Sequence, residues 1–346
     1  MYESSTSAVV DALTSSSSTI FNESTIERIL SLTTQGTTDT TVSFEQVTAS
    51  TDGQVTVAAG TEVAIIGSSA SQQTTIDAPV NVPVVIFEGL GGVNATFNDG
   101  QTTVQSAAGV VDRVVVHSAG ADNIVIEDGK NSQITVGAND TVVAGAGNDT
   151  VIAGFGDSTV VGGTGYTIVD LGGDDSDYEV TVVDGHAVVT NTETGVTTDV
   201  SKAQFVQLDN GEALVFAKDS KEAAVSTLYE ATFGRAADAL GLQYWFDRVN
   251  NGASLSDIAD AFVNSAEFDA RPDLNDEAFL ESLYQNTFGR AADDAGLAYW
   301  TGVLENGGDR GDVIESFANT AAAHLDGTLE GEATIVGTIT IVPGIV

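Results

Sequence analysis

Acidic side chains recur on a fixed period in the middle of this chain. Five nine-residue segments read SAGADNIVI, TVGANDTVV, AGAGNDTVI, AGFGDSTVV and GGTGYTIVD, and they place Asp122, Asp140 and Asp149 on one phase. Gly145 and Gly147 precede Asp149, and glycine permits the positive φ angles of a sharp turn that offers its carbonyls. Turn carbonyls beside a carboxylate are hard oxygen ligands, which suit calcium. The spacing therefore predicts calcium sites at the turns.

The same period predicts how the chain coils. Two nine-residue segments complete one coil, so turns on the same side should stack on each other. The expected pairs are Asp122 with Asp140 and Ser158 on one edge, and Asn131 with Asp149 and Thr167 on the other. The candidate metal ligands are Asp122, Asp140, Gly145, Gly147, Asn148, Asp149 and Asp157. The alternative is metal-free, because Gly, Asn and Asp are ordinary turn formers and aliphatic rungs stack without an ion.

The segment AGAGNDTVI matches the pattern GGxGxDxUx, in which U is a large aliphatic residue, everywhere except the first glycine. In this respect the chain resembles the RTX family of hemolysin-type calcium-binding nonapeptide proteins. The resemblance implies a β-roll with bound calcium and export through a type I channel. Other segments depart from the pattern, since Ser158 and Thr167 stand at the ligand position.

The charge balance limits the partners of this chain. It carries 50 acidic and 11 basic side chains, with a formal net charge of -39. Nucleic acid is excluded as a partner, because phosphate binding needs clustered Lys and Arg, and anionic membranes are disfavoured likewise. Divalent cations would relieve the self-repulsion of so many carboxylates. Cysteine is absent, so disulfides and thiolate metal sites are excluded.

Export signals and hydropathy bear on the cellular location of the protein. The opening residues, MYESSTSAVVDALTSSSSTIF, contain neither the basic region nor the apolar run of a Sec signal peptide. No apolar stretch is long enough to span a bilayer. The RTX resemblance implies an extracellular or cell-surface protein, and export would then use a C-terminal type I signal or a leader that this sequence does not include. A cytoplasmic location is the alternative.

Periodicity divides the chain into β and α parts. Residues 1–40 are rich in Ser and Thr and contain a predicted short helix capped by Ser24. Alternating apolar residues predict strands over 41–175, which we assign to a parallel β-solenoid or β-roll. Residues 176–218 contain hairpin signals and resemble the antiparallel β module that often follows RTX repeats, which predicts a cap on the last rung. The fold class is mainly β with a separate α domain.

Two copies of a helical segment follow, over 222–270 and 275–325. Leu228-Tyr229 recurs as Leu283-Tyr284, Phe233-Gly234-Arg235 as Phe288-Gly289-Arg290, and Tyr244-Trp245 as Tyr299-Trp300. Both copies resemble a small helical domain of unknown function, similar to phycobilisome linker domains, that recurs in secreted RTX and surface-layer proteins. Aromatic residues at helical spacing more often form a core than a ligand site, so Trp245 and Trp300 are expected core anchors.

The arginine after each Phe-Gly pair has an expected structural role. Arg235 stands three residues before Asp238, and Arg290 stands three residues before Asp293. This spacing predicts a local ion pair that fixes the turn between helices. A binding role for the two arginines is the alternative.

Residues 331–346 contain EATIVGTITIV, whose alternation predicts an amphipathic strand. The candidate assembly residues are Ile335, Val336, Ile339 and Ile341. Having no neighbouring strand in sequence, this segment must pair with another molecule or return to its own sheet as an edge strand, and an export signal competes for the same end. We favour intermolecular pairing, in which donor-strand exchange joins subunits into an open polymer.

Three classes of function follow from these patterns. The first is a calcium-stabilised extracellular structural protein that self-assembles, as a homo-polymer, into a filament or surface layer. The second is a secreted β-helix enzyme acting on polysaccharide, for which the chain supplies only His117, His186 and His324 as histidines. The third is an adhesin that contacts a glycan or cell surface. No Ser-His-Asp arrangement, phosphate loop or zinc motif is recognisable, so we expect no enzyme.

Overall fold

The computed structural model describes residues 2–5, 8, 10–11, 13, 23–33, 41–183, 186–209, 213–271, 274–323, 334–336 and 339–343. The chain divides into two compact units, each described by itself below. The first unit comprises Met1–Leu171 with Val188–Ala203, and the second comprises Gly172–Ala187 with Gln204–Val346.

The strands are short, most of them four or five residues long. They are β1 (Tyr2–Ser5), β2 (Thr41–Thr48), β3 (Val63–Gly67), β4 (Thr74–Asp77), β5 (Val84–Glu88), β6 (Val93–Phe97), β7 (Arg113–Val116), β8 (Asn123–Ile126), β9 (Ser132–Thr135), β10 (Asp140–Val143), β11 (Asp149–Ile152), β12 (Ser158–Val161), β13 (Thr167–Asp170), β14 (Tyr178–Val183), β15 (His186–Asn191), β16 (Thr197–Ser201), β17 (Phe205–Gln207), β18 (Ala213–Ala217), β19 (Thr334–Val336) and β20 (Ile339–Pro343). The helices are α1 (Glu23–Thr33), α2 (Ser220–Phe233), α3 (Ala239–Asn250), α4 (Leu255–Val263), α5 (Ala266–Asp269), α6 (Asp276–Phe288), α7 (Asp294–Glu305) and α8 (Arg310–Ala323).

Parallel strands build the first unit, and from β3 to β13 successive strands alternate between two sheets. The first sheet contains β2, β3, β5, β7, β9, β11 and β13 in that order, with β1 antiparallel along β2. The second sheet contains β4, β6, β8, β10, β12 and β16. This arrangement of parallel strands is compatible with the predicted solenoid.

Aliphatic columns form the core between the two sheets. Side chains that share a face lie in register from rung to rung, and every member of two such columns is fully buried. The columns are Val85, Val115, Ile134, Val151 and Val169 in the first sheet, and Ala95, Ile124, Val142, Val160 and Val200 in the second. Burial of each Val or Ile contributes about 1.5–3 kcal/mol, so the columns supply most of the drive to stack.

The opposite face of the first sheet is covered by α1. Ile26 and Ile29 are buried there against a cluster that includes Val84 and Val116. The expected helix is therefore confirmed, although it begins at Glu23 and Ser24 lies inside its first turn rather than before it.

The predicted boundary of the antiparallel module at residue 176 needs one correction. β16 pairs in parallel with β12, with Thr198 beside Ser158 and Val200 beside Val160. This strand therefore extends the second sheet, because its inward side chains continue the same polar and aliphatic columns. The antiparallel pairing expected in this region does occur between β17 and β18.

One coil is a residue shorter than the repeat predicts. Thr150 lies opposite Gln133, so Asp149 lies beside Ser132 and not beside Asn131 as expected. The turn between β9 and β10 is the short one, and Asn139 adopts a positive φ of 66° in it. Asn tolerates this left-handed conformation better than most residues, which lets the turn close early. The pairs Asp140 with Ser158 and Asp149 with Thr167 are confirmed.

The second unit contains the helical block between β18 and β20. Its α2 packs against α6 and α8, and the two sequence copies have matching ends. Gly234 and Gly289 end α2 and α6 in the left-handed conformation, and the side chains of Asp238 and Asp293 cap α3 and α7. β20 pairs in parallel with β18, and β19 pairs antiparallel with β20.

None of the helices in the described part of the chain is long and apolar enough to cross a membrane.

Candidate functional site

The predicted ligands lie at two kinds of turn in the first unit. The first corner leads from a strand of the first sheet to a strand of the second, and it contains Asp122, Asp140 and Asp157. The second corner leads back to the first sheet, and it contains Gly145, Gly147, Asn148 and Asp149. At each corner the carboxylate opens or precedes the next strand, whose alternation sets the direction of its side chain.

Asp122 and Asp140 are buried at the first corner and cross-link adjacent rungs through backbone amides. Asp140 accepts hydrogen bonds from the amides of Asp122 at 2.8 Å and Gly137 at 2.6 Å. Asp122 accepts from the amides of Val93 at 2.8 Å and Ser118 at 2.5 Å, and from the Ser118 hydroxyl at 2.7 Å. Each carboxylate therefore holds its own turn and the preceding rung together.

His117 faces these two carboxylates from the end of β7. Its side chain is 7% exposed, and its Nδ1 lies 3.5 Å from Oδ2 of Asp140. Ligand atoms of His117, Asp122 and Asp140 all lie within 4.8 Å of one another. No other group of three His, Asp or Glu side chains in the described residues converges in this way.

Burial changes the proton affinity of this cluster. Burial is the main cause that raises the pKa of Asp140 to about 7; the nearby Asp122 carboxylate adds to this shift, and the two donated amides oppose it. Burial lowers the pKa of His117, which favours the neutral imidazole, although the Ser118 backbone and then the Asp122 charge act in the opposite direction.

At the second corner, Asp149 repeats the same inward arrangement. Its side chain accepts hydrogen bonds from the amides of Ser132 at 2.8 Å and Gly145 at 2.9 Å. Burial raises the pKa of Asp149 to about 6, partly offset by the two amides and by Arg113. The Asp149 side chain thus links its own turn to the preceding rung through two backbone amides.

Gly145 and Gly147 serve close packing and do not adopt the positive φ that the sequence suggested. A Cβ on Gly147 would lie 2.5 Å from the carbonyl carbon of Lys130 in the turn of the preceding rung. A Cβ on Gly145 would lie 2.5 Å from the carbonyl oxygen of Asp128. The carbonyl of Gly145 itself accepts the amide of Thr164 from the next rung at 3.0 Å.

The remaining predicted ligands have separate surroundings. The Asn148 amide donates to Oδ1 of Asn131 at 2.8 Å, which links two stacked turns. Asp157 is exposed and accepts hydrogen bonds from the amide and hydroxyl of Thr197 at 2.9 and 3.0 Å. The structure therefore brings Asp122 and Asp140 together and leaves Asp149 and Asp157 apart from them.

Sequence reasoning missed a buried ion pair beside the second corner. Arg113 and Asp128 form two hydrogen bonds of 2.9 Å, and both side chains are almost completely buried. The guanidinium also donates to the Ser132 hydroxyl at 2.8 Å and stacks over Phe97, 4.4 Å from its ring centroid. The signal in sequence was an arginine at an inward position of an apolar strand.

These surroundings test the fit of calcium. Calcium takes six to eight oxygen ligands. At the second corner both hydrogen bonds to Asp149 come from backbone amides, and the Gly145 carbonyl is engaged by the next rung. At the first corner an imidazole stands among the ligands. In this arrangement neither corner supplies the six to eight oxygen ligands that calcium takes, so the corner residues do not form a calcium cage.

The predicted assembly strand pairs within its own chain. Ile339 lies beside Ala213 and Ile341 beside Val215, while Ile335 and Val336 belong to the neighbouring β19. The side chain of Ile341 is 1% exposed. This pairing is the intramolecular alternative to strand donation.

The helical copies contain matching aromatic clusters. Tyr229 and Phe262 meet at 4.6 Å in the first copy, and Tyr284 and Phe317 meet at 4.9 Å in the second. The tryptophan of each copy packs against the same phenylalanine, at 5.3 Å for Trp245 and 5.5 Å for Trp300. Both tryptophans are half-buried, as expected for residues that anchor a small core.

The predicted ion pairs at the helical turns differ between the two copies. Arg290 lies 3.5 Å from Asp293, as expected. Arg235 instead forms a two-pronged pair with Glu267 at 2.9 and 3.0 Å, so its expected pairing with Asp238 is wrong. Only the first copy places a carboxylate on the short helix α5, within reach of the arginine.

Comparisons with known proteins agree with the helical part of this description. The family model described as "Domain of unknown function (DUF4214)" matches residues 214–272 and 259–324. No curated protein and no solved structure matches the chain. The helical tandem is therefore similar to a domain family whose activity is not established.

Proposed function

We propose that this protein is a structural subunit of an extracellular filament or surface layer, joined to neighbouring copies by exchange of β19 and β20. The observation that carries the proposal is the parallel pairing of β20 with β18. The two strands are separated in sequence by the whole helical block, so the same pairing is available to another chain. The stacked parallel strands of the first unit resemble a β-roll and would form the stiff body of such a subunit.

The geometry favours exchange of this strand over other elements. The pairing extends over Ala213–Ala217 and Ile339–Pro343, and it buries Ile341. The intervening residues 324–333 span at most roughly 35 Å when extended, enough to reach an adjacent molecule. Exchange keeps every hydrogen bond and apolar contact of the closed form, so its cost is mainly the entropy of association. A head-to-tail contact of this kind propagates into an open polymer.

Cysteine trapping tests the exchange directly, because the natural chain contains no cysteine. Val215→Cys and Ile341→Cys are made in separate chains, mixed during assembly and oxidised. Val215 and Ile341 are register partners, within the range that a disulfide can bridge. We expect a disulfide-linked dimer of the two different variants.

The matched control replaces Val215→Cys with Thr194→Cys, an exposed turn residue, and should give no link to Ile341→Cys. A chain with both Val215→Cys and Ile341→Cys reports the closed form as an internal disulfide. If the mixture gives no mixed dimer while the double variant closes internally, strand exchange is wrong. Deleting residues 331–346 should abolish polymerisation of purified protein, and filaments that persist would refute the donor role.

We include calcium binding and type I export in this proposal because the repeats resemble RTX nonapeptides. Calcium at the corners would have to bind carboxylates of Asp122, Asp140 or Asp149 whose oxygens already accept amide hydrogen bonds. Isothermal titration of metal-depleted protein measures it. Absence of calcium binding would remove the metal from the proposal and leave assembly by strand exchange standing, since β18 and β20 lie in the other unit.

A second candidate function is adhesion through the helical copies. Tyr244 and Tyr299 occupy the same position in the two copies and are 46% and 64% exposed. Exposed aromatic rings of this kind suit the apolar faces of sugars. A glycan array with wild-type protein and Tyr299→Ala tests the idea, and identical binding by both proteins would reject this residue as the contact.

A further inference from the structure

The His117 cluster at the first corner has a feature that the stacking of rungs does not explain. His117 is 8% exposed as a residue, and neither of its ring nitrogens has a hydrogen-bond partner in the described structure. Leaving a buried polar group without a partner costs about 1–3 kcal/mol. The imidazole points at Asp140, where a ligand would satisfy it.

The charges of the cluster are also uncompensated. Asp122 and Asp140 are 2% and 1% exposed, and among the described residues neither forms an ion pair with Lys or Arg. By contrast, Asp128 at the second corner has Arg113 as its cation. Buried carboxylates in proteins are normally paired with a cation or coordinate a metal. In the described part of the first corner the two carboxylates have His117 beside them and no Lys or Arg.

Local backbone makes room for the imidazole. A Cβ on Gly137 would lie 2.7 Å from Nδ1 of His117, so the ring packs closely against this glycine. The amide of the same glycine donates to Asp140 and holds its carboxylate near the ring. The position of the histidine is therefore set by the next rung.

We propose that His117, Asp122 and Asp140 bind one divalent cation of the zinc class. A nitrogen ligand with two carboxylates suits zinc better than calcium, which takes oxygen ligands. The ion neutralises the buried carboxylates, gives the imidazole its partner and ties the end of β7 to the first residues of two successive rungs. This site is independent of the proposed strand exchange, which involves the other unit.

The test uses metal-depleted full-length protein and the metals alone as probes. Titration with Zn²⁺ should show one site per chain, and Co²⁺ should give the intense visible absorption of a low-coordinate nitrogen and oxygen site. Loss of even an outer-shell group costs about 10–100-fold in metal affinity, so His117→Gln and Asp140→Asn should each cost about 100-fold or more. Asp157→Asn, an exposed carboxylate of the same corner, is the matched control and should bind like wild type.

Wild-type protein provides a readout that does not depend on a variant folding. Nitrogen NMR of the imidazoles should show one of the three histidines shifting on Zn²⁺ addition, and His186→Gln should leave that signal in place. The proposal is overturned if no imidazole responds, if His117→Gln binds Zn²⁺ and Co²⁺ as wild type does, or if only calcium binds. Far-UV circular dichroism of each variant separates loss of ligand from loss of fold.

Discussion

Gly147→Ala tests whether the turns stack by direct backbone contact. The added Cβ would lie 2.5 Å from the carbonyl carbon of Lys130 and 2.9 Å from the amide nitrogen of Asn131. Side chains at the tip of a turn can move aside, but these atoms belong to the backbone of the preceding rung. Restoring ordinary contact therefore requires the two turns to separate by about 1 Å.

The cost follows from what that separation breaks. Two hydrogen bonds flank the glycine, from Ala146 to the Asp128 carbonyl at 3.0 Å and from Asn148 to Asn131 at 2.8 Å. Each contributes about 0.5–1.5 kcal/mol, and a separation of this size exceeds hydrogen-bond range. Overpacking adds about 1–3 kcal/mol. We expect Gly147→Ala to lower the free energy of unfolding of the first unit by about 2–6 kcal/mol.

Gly302→Ala is the matched control, because it makes the same chemical change where no atom lies within 4 Å of the added Cβ. Gly302 lies inside α7, so alanine should stabilise that helix by about 0.5–1 kcal/mol. Urea unfolding followed by hydrogen exchange mass spectrometry reports the first unit. Tryptophan fluorescence reports the second, where both tryptophans lie. A Gly147→Ala protein within about 0.5 kcal/mol of wild type would refute the stacking argument.

Three further predictions concern the buried charges and the helix caps. Burial raises the pKa of Asp149 to about 6, above the unfolded value of 3.8, so between these pH values the folded state binds a proton that the unfolded state has lost. This proton stabilises the folded state by about 3 kcal/mol. The stabilisation is full below about pH 4 and is lost as pH rises through 6. Urea unfolding at pH 4.5 and 7 should show this slope together with that of Asp140, whose pKa is also raised, and Asp149→Asn should reduce the slope by the Asp149 share; equal slopes in both proteins would contradict the assignment. Asp128→Ala strands the buried Arg113 and should cost about 3–5 kcal/mol, whereas the double change Asp128→Leu with Arg113→Met should recover most of the loss in a double-mutant cycle. The loss of a helix N-cap by Asp238→Ala or Asp293→Ala should lower the free energy of unfolding by about 1 kcal/mol, measured by thermal unfolding with tryptophan fluorescence. Asp269 is exposed and is not a cap, so Asp269→Ala should lower it less.

The features that depend on local pattern could be predicted from the amino-acid sequence. The period of nine fixed the register of Asp140 with Ser158 and of Asp149 with Thr167, because aliphatic residues at matched positions bury only in that alignment. Recurrence of Phe-Gly-Arg and Tyr-Trp likewise predicted two helical copies with matching aromatic clusters. Alternation also predicted the C-terminal strand, since period two is a property of the segment alone.

Contacts between side chains of different rungs and helices became evident from the three-dimensional arrangement of the chain. The inward direction of Asp149 depends on amide donors from another rung, and the pairing of Arg235 with Glu267 depends on the position of a separate short helix. His117 meets Asp122 and Asp140 because adjacent rungs stack these positions and Gly137 of the next rung leaves room for the ring. The sequence of β20 is compatible with pairing within its own chain or with another chain, because an amphipathic strand specifies which face is buried and not which strand it pairs with. Such contacts depend on backbone placement across long sequence separations, which a periodic pattern does not contain.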